Sequence, residues 1–258
     1  MHGESFPSAR EVTITNGNWM IPEEVPIAFV FNRRNYAVMM GTPDDLLDFA
    51  LGFSITEGVV GSVSDIKSID IHQTSKGADI RFKITDQALE RLDITQRRRN
   101  MVGSASCGLC GLENADILFK ILPRVSATKK KLDKRLVSLA ISNIRALQPL
   151  NKITHSVHAA AWANLDGKIE YIREDVGRHN ALDKLLGAIL RAQTDVASGF
   201  ILMSSRCSYE IVEKAAKCGV QSIVSLSGPT AFAIRKAEEA NISIYSQSKD
   251  GPIEVLGF

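Results

Sequence analysis

Cys107 and Cys110 stand three positions apart in Ser104-Ala-Ser-Cys-Gly-Leu-Cys-Gly111, among small residues and downstream of the basic run Arg97-Arg98-Arg99. Thiols at this spacing serve three chemistries: half of a zinc site, a redox-active dithiol, or a thiolate that carries sulfur. A structural zinc site needs four ligands, and the other two cysteines, Cys207 and Cys218, are neither paired nor at ligand spacing. Zinc held by the pair and a histidine stays open. A zinc deaminase would need His-x-Glu followed later by Pro-Cys-x-x-Cys, with the glutamate as acid and base. Here His158 is followed by Ala159 and Ala160, no proline precedes Cys107, and the thiols come before the histidine. Without the glutamate that hydrolysis is disfavoured, and residue types leave redox exchange, sulfur relay and an inert pair side by side.

A second constellation is Arg173-Glu-Asp-Val-Gly-Arg-His-Asn-Ala-Leu-Asp-Lys184, which crowds charges of both signs and a histidine into one short run. Arg173 and Arg178 suit phosphate, Glu174 and Asp175 suit a base or ribose, and Gly177 allows close backbone approach. His179, ahead of Asn180, reads as a proton shuttle or as a hydrogen-bonding group at a helix start. Two further loops, Ser204-Ser205-Arg206 and Ser227-Gly228-Pro229-Thr230, offer hydroxyls and helix-start amides to an anion, and two such cradles side by side suit a pyrophosphate. Their plainer reading is as helix caps.

Those residues need elements to position them. In the first half, Pro26–Asn32 and Tyr36–Gly41 read as strands around a turn at Arg33-Arg34-Asn35. Thr42-Pro43-Asp44-Asp45 reads as a capped helix start, with Leu46, Leu47, Ala50 and Leu51 at helical spacing up to Gly58. Strands near 66–71 and 78–84 and a short helix near 86–92 complete a small α+β unit. From Thr95 to Gly111 no apolar period survives, which predicts an exposed mobile loop ending in the cysteine pair. In the second half, Asp133–Leu147 reads as a helix stopping before Pro149, and Asp166-Gly167 turns a hairpin of 157–164 with 168–172. Helices near 180–191, 209–218 and 230–240 alternate with strands near 200–203, 222–226 and 242–245. Such crossovers demand parallel strands, with ligands at the carboxyl edge. The expected fold class is α/β: a smaller N-terminal α+β domain over 1–120 and a C-terminal three-layer α/β sandwich with a mixed sheet over 121–258.

Bulk properties agree with a globular chain. At 258 residues, 45% hydrophobic and 23% charged, disorder is not indicated, and four unevenly spaced cysteines do not make a secreted disulfide framework. A reducing cytoplasm is the expected setting. No basic-then-apolar leader opens the chain and no apolar run nears the roughly 18 residues of a membrane span, so neither export nor a membrane partner is expected. Net charge is −4 over residues 1–120 and +6 over 121–258. A basic second half suits an anionic ligand, or is an ordinary solvated surface.

Taken in order, Ser106-Cys-Gly-Leu-Cys-Gly111, the Arg173–Lys184 run, Ser204-Ser-Arg-Cys-Ser-Tyr-Glu210 and Ser227-Gly-Pro-Thr230 resemble the motifs of the formate dehydrogenase accessory sulfurtransferase family, FdhD. Gly41-Thr-Pro and Gly52-Phe-Ser-Ile-Thr-Glu-Gly58 look like its N-terminal motifs, and the likeness spans about 24–245. The chain departs from the family ahead of His158, at His155-Ser156-Val157, and at Gly228, where alanine is usual. The resemblance implies a cytidine-deaminase-like fold without deaminase activity. It implies a persulfide relay in which a cysteine desulfurase supplies sulfur to Cys107 first and Cys110 second. The sulfur then passes to the molybdenum of a bis-molybdopterin guanine dinucleotide cofactor destined for formate dehydrogenase. Cofactor contacts would fall to Arg173, Asp175, Gly177, Arg178, His179, Asn180, Ser204, Ser205, Arg206, Ser227 and Thr230, with no structural metal and no nucleic acid partner. A homodimer is compatible with it. Two rival readings stand beside it: a non-catalytic chaperone of the guanylyl cofactor, and a thiol-disulfide oxidoreductase, although the βαβ setting usual for the latter is absent.

Overall fold

A computed structural model describes residues 6–99, in backbone alone from 94, together with 121–126 and 131–258. The chain opens with β1 (Ala9–Ile14) and β2 (Gly17–Pro22), a two-stranded hairpin closed at Asn16-Gly17 that the apolar runs did not announce. Next come β3 (Val25–Phe31) and β4 (Arg34–Gly41). Their turn is Asn32-Arg33 and not Arg33-Arg34-Asn35: both residues have positive φ, 45° and 67°, which a two-residue hairpin loop requires.

The next helix, α1 (Leu46–Thr56), starts later than Thr42. Asp45 stands at its N-cap in the left-handed region without a side-chain capping bond, and Thr42 is used elsewhere. Then β5 (Ile66–Thr74), β6 (Gly77–Ile84) and α2 (Asp86–Arg99) follow. The helix α2 carries on through Thr95, so residues 95–99 are helical and not loop. A four-stranded sheet in the order β4-β3-β6-β5 presents Val25, Ile27, Phe29 and Phe31 to α1. Phe29 stacks on Phe53 at 3.9 Å and meets Phe49 edge-on at 5.1 Å.

In the second half, α3 (Lys134–Ile144) is capped by Asp133, whose carboxylate accepts the Arg135 amide. Pro149 does not simply end that segment; it begins α4 (Pro149–Thr154), since a proline at the first helical position loses no hydrogen bond. The remaining order is β7 (His158–Asn164), β8 (Ile169–Asp175), α5 (Arg178–Ala192), β9 (Gly199–Arg206), α6 (Tyr209–Lys217), β10 (Ser222–Ser227), α7 (Ala231–Ala240), β11 (Ser243–Ser248) and β12 (Gly251–Leu256). These strands form one mixed sheet, β12-β11-β10-β9-β7-β8, parallel across β9, β10 and β11 and antiparallel at both flanks. Residues of α5, α6 and α7 share one core with one face of the sheet, and Val137, Ala140 and Ile144 of α3 share another with Ala159, Ala161 and Leu202. That is a three-layer α/β/α sandwich. No helix among the described residues is long and apolar enough to cross a membrane.

The two sheets meet through α1 and α5. Gly52 and Gly187 set the crossing: a Cβ at Gly52 would sit 1.8 Å from the Asp183 carbonyl oxygen, and one at Gly187 equally close to that of Asp48. Only glycine permits this backbone approach. With phenyl rings on one side and this crossing on the other, α1 is buried almost throughout.

Candidate functional site

The run after β8 splits into residues that lock the fold and residues that remain available. Arg173 belongs to the first group. Its Nε and a terminal nitrogen donate to Asp48 Oδ2 at 2.9 and 2.6 Å, and its other terminal nitrogen donates to the Ile172 carbonyl, so the guanidinium joins α1 to the large sheet and is not free for phosphate. Asp175 is likewise fully engaged. Its Oδ2 pairs with Lys184 Nζ at 2.7 Å and accepts from the Thr42 amide and hydroxyl, while Oδ1 accepts from the Gly177 amide and from Asn180 Nδ2. Asn180 also donates to the Met40 carbonyl. Gly177 is the N-cap of α5, packed so closely that a Cβ would lie 3.1 Å from Asn180 Nδ2. These three residues fold the strand exit onto the start of α5 and hold no surface for a ligand.

Glu174 is held in the same way. It accepts the Leu150 and Asn151 amides at 2.9 and 2.8 Å and anchors the first turn of α4. Burial pushes its carboxyl above the usual range, and those amides oppose the shift.

What stays available lies at the carboxyl edge of β9 and β10. Arg206 ends β9 directly across from Ser227, the last residue of β10. The Thr230 amide donates to the Cys207 carbonyl at 3.0 Å, tying the two strand exits together, and the Thr230 hydroxyl caps α7 by accepting from Ala233. Tyr209 and Phe232, at the starts of α6 and α7, stack with centroids 5.0 Å apart and keep the two helix N-termini side by side. Arg206 and Ser227 are exposed, and the Arg206 guanidinium has no partner among the described residues. Ser204 and Ser205 stand inside β9 and not in a loop. Ser204 Oγ accepts the Ala159 amide at 2.8 Å, and the buried Ser205 hydroxyl donates to the Arg206 carbonyl, so neither hydroxyl points out as a cradle would need.

Beside this edge, the first turn of α5 faces that of α6: His179 Nε2 lies 3.8 Å from Glu210 Oε2. Burial works against ionising Glu210, but the His179 imidazole, the amide at the start of α6 and the Ser208 hydroxyl outweigh it and hold the carboxyl at about 2. His158, opposite Asp175 on β7, belongs to the same neighbourhood. Burial, then the charges of Arg178 and His179, push its imidazole below the ordinary value, with Asp175 opposing. Sequence reasoning named neither His158 nor Glu210 as site residues; the signal for Glu210 was an acid in the first turn of a helix that follows a strand exit.

Cys107 and Cys110 lie outside the described residues. The two described cysteines are free thiols, Cys207 buried in the core and Cys218 half-buried. Burial pushes both thiols up to about 12. No group of three or more His, Cys, Asp or Glu among the described residues is arranged to hold a metal ion. A concavity of about 1110 Å³ opens on the outer face of the four-stranded sheet, lined by Ala28, Val30, Val38, Arg81 and Lys83 among others. None of the candidate site residues lines it, and chemistry favours the strand-exit edge over its size.

Comparison with known proteins bears on this arrangement. Residues 22–256 match the family model described as FdhD/NarQ family. The chain is 42% identical over 231 residues to the sulfur carrier protein FdhD of Xanthomonas euvesicatoria pv. vesicatoria, covering 90% of this chain and 81% of that protein. It is 38% identical over 247 residues to the protein of the same name from Agrobacterium fabrum, covering 96% and 90%. Among solved structures, a chain described as a formate dehydrogenase accessory protein from Desulfotalea psychrophila superposes with a TM-score of 0.71 at 22% identity, covering 96% of this chain and 95% of that one. That likeness carries the fold.

Proposed function

The chain belongs to the FdhD/NarQ family, and from that premise we propose that it is a sulfur carrier serving formate dehydrogenase, with the Cys107 and Cys110 pair as its sulfur-bearing group. The observation that carries this reading is the state of the other two thiols. The sequence has four cysteines, and burial holds Cys207 and Cys218 at about 12, protonated and non-nucleophilic near neutrality. Sulfur chemistry therefore falls to Cys107 and Cys110.

In the first step the Cys107 thiolate attacks the terminal sulfur of a cysteine desulfurase persulfide. The donor's S–S bond breaks as the new one forms, and the donor leaves as a thiolate, so no outside oxidant or reductant is consumed. Cys110 is the second thiol of the relay. The acceptor is the molybdenum of bis-molybdopterin guanine dinucleotide, bound as cargo. Its pyrophosphate suits the edge where Arg206 faces Ser227 between the N-termini of α6 and α7.

The test is mass spectrometry of the full chain after incubation with a desulfurase and cysteine. A gain of one sulfur mapped to Cys107, lost in Cys107→Ala with the melting transition unchanged, is the expected result. A Cys107–Cys110 disulfide in its place would identify a redox cycler. An unchanged mass in a protein that still binds guanine nucleotides would leave a cofactor chaperone.

A further inference from the structure

The hairpin β1–β2 turns one face in and one face out. Met20 and Pro22 are half-buried, whereas Trp19 and Ile21, on the other face of the same strand, are 50% and 40% exposed. The register sets Val12 opposite Trp19, so an apolar stripe runs along the outward face, with Arg10 at its foot neutralised by Glu23. The strand β2 packs on α4. There Ile153 is exposed as well, and so is Leu147 in the single turn Arg145–Leu147 that joins α3 to α4. A tryptophan is seldom left this open, and large apolar side chains exposed on adjoining elements mark a surface that another molecule covers.

Charge and position select the occupant. No Asp or Glu occurs from Lys134 to His155. Arg145 and Lys152 are exposed there and in no ion pair among the described residues, while Glu174, the acid that meets α4, is spent on the Leu150 and Asn151 amides. A second copy of the chain would set cations against cations across a two-fold axis. Lys134 and Arg135 lie at the far end of α3, about 15 Å away, and two cations fall short of the roughly four to eight that hold a chain on anionic lipid. An apolar protein surface that carries carboxylates fits. Position narrows it further: β7 runs antiparallel to β9, and the Ala159 amide donates to Ser204 Oγ, so the chain leaves α4 at the same sheet edge where Arg206 ends β9. A protein seated on α4 and the hairpin therefore stands beside the edge proposed for the cargo. Resting on the sulfur-carrier reading above, we infer that this surface docks the client enzyme through an acidic, apolar patch, with Trp19 as the anchor and Arg145 and Lys152 pairing with the client's carboxylates. An aromatic centre with a charged rim is the common anatomy of such contacts.

Biolayer interferometry between the full chain and a formate dehydrogenase apoenzyme, made without its cofactor, tests this at low and high salt. Wild type should bind, and more weakly at high salt, as contacts between exposed charges do. Trp19→Ala, folded by its melting curve, should weaken binding about tenfold or more, the scale of an interface anchor. The double variant Arg145→Glu, Lys152→Glu should weaken it by a similar factor and remove most of the salt dependence. Because it leaves the hairpin untouched, it stands as the second test should Trp19→Ala melt early. Persulfide loading of Cys107 by a desulfurase should stay at the wild-type level in both, since the thiol pair and its donor are not altered. Unchanged apoenzyme affinity in both folded variants overturns the inference, as does a wild type that takes up persulfide but binds no apoenzyme; either result leaves sulfur loading standing. Self-association lost in Trp19→Ala with apoenzyme binding intact would overturn it in favour of a second copy. Binding to phosphatidylserine vesicles lost in the double variant, again with apoenzyme binding intact, would overturn it in favour of a membrane surface. A wild type that neither takes up persulfide nor binds the apoenzyme brings down the sulfur-carrier reading and the inference with it.

Discussion

Lys184 Nζ lies 2.7 Å from Asp175 Oδ2 with both side chains fully buried, and Thr42 closes the pair by donating to the carboxylate and accepting from the ammonium. Residues from the exit of β4, the end of β8 and the body of α5 thus share one polar cluster. Its cost of desolvation is offset only while every member is present.

Lys184→Met should therefore destabilise the protein by about 3–5 kcal/mol, because Asp175 would be left charged and unpaired in the interior. Adding Asp175→Asn to it should recover part of the loss. Urea denaturation reads both; a wild-type midpoint for Lys184→Met would mean that the pair does not hold the two sheets together.

A glycine crossing makes the second expectation. Gly187→Ala would place a methyl carbon 1.8 Å from the Asp48 carbonyl oxygen, and neither helix can give way without disturbing the Asp48 contacts with Arg173 and Arg191. A loss of roughly 1–3 kcal/mol is expected, the usual cost of overpacking. Gly228→Ala is the control, since nothing lies within 4 Å of the added carbon there. Its melting temperature should match the wild type.

Much of this was legible in the chain before folding, and the boundary between legible and hidden has a physical cause. The alternation of helices and strands from Asn180 to Tyr245 follows from local periodicity, and Asp166-Gly167 turns the predicted hairpin. The first hairpin and β12 were missed because neither buries a clean alternating face; β1 and β2 are largely exposed. The roles of Thr42, Arg173, Asp175 and Asn180 were hidden for another reason. A charged side chain reads alike whether it meets a ligand or a partner from a distant segment, and here Thr42 meets Asp175 across 133 positions. Glu210 was hidden by the same ambiguity, since an acid in a first turn also serves the helix dipole.

Stability should also depend on pH through His158. Burial and the nearby Arg178 and His179 charges lower its affinity for a proton in the fold, with Asp175 opposing. The unfolded chain then binds that proton more readily, so stability is complete above the ordinary histidine value of about 6.5 and declines as pH falls from there towards the folded value. His158→Gln should flatten the curve in that interval. Denaturation midpoints from about pH 7 to 5 measure this, and taking the difference between wild type and variant removes other groups, such as Glu174. Identical slopes would mean that His158 does not report on the site.

Arg206 separates anion binding from sulfur loading. It ends β9 opposite Ser227, exposed and without a partner among the described residues, next to the N-termini of α6 and α7. Helix-end amides position an oxyanion, and a guanidinium adds a bidentate, charge-assisted contact that lysine keeps in charge but loses in geometry. Arg206→Lys should weaken pyrophosphate and guanine-nucleotide binding by about 1 kcal/mol or more, and Arg206→Ala should weaken it further. Neither change should touch the fold, because the side chain supports nothing in the core. Persulfide loading of Cys107 should also stay at the wild-type level, since that step needs a thiolate and a sulfur donor but no phosphate site. Calorimetry and mass spectrometry on the same preparations decide the matter. Wild-type nucleotide affinity in folded Arg206→Ala would move the anion site away from the end of β9, with Arg178, whose Nε makes no hydrogen bond, as the next guanidinium to replace.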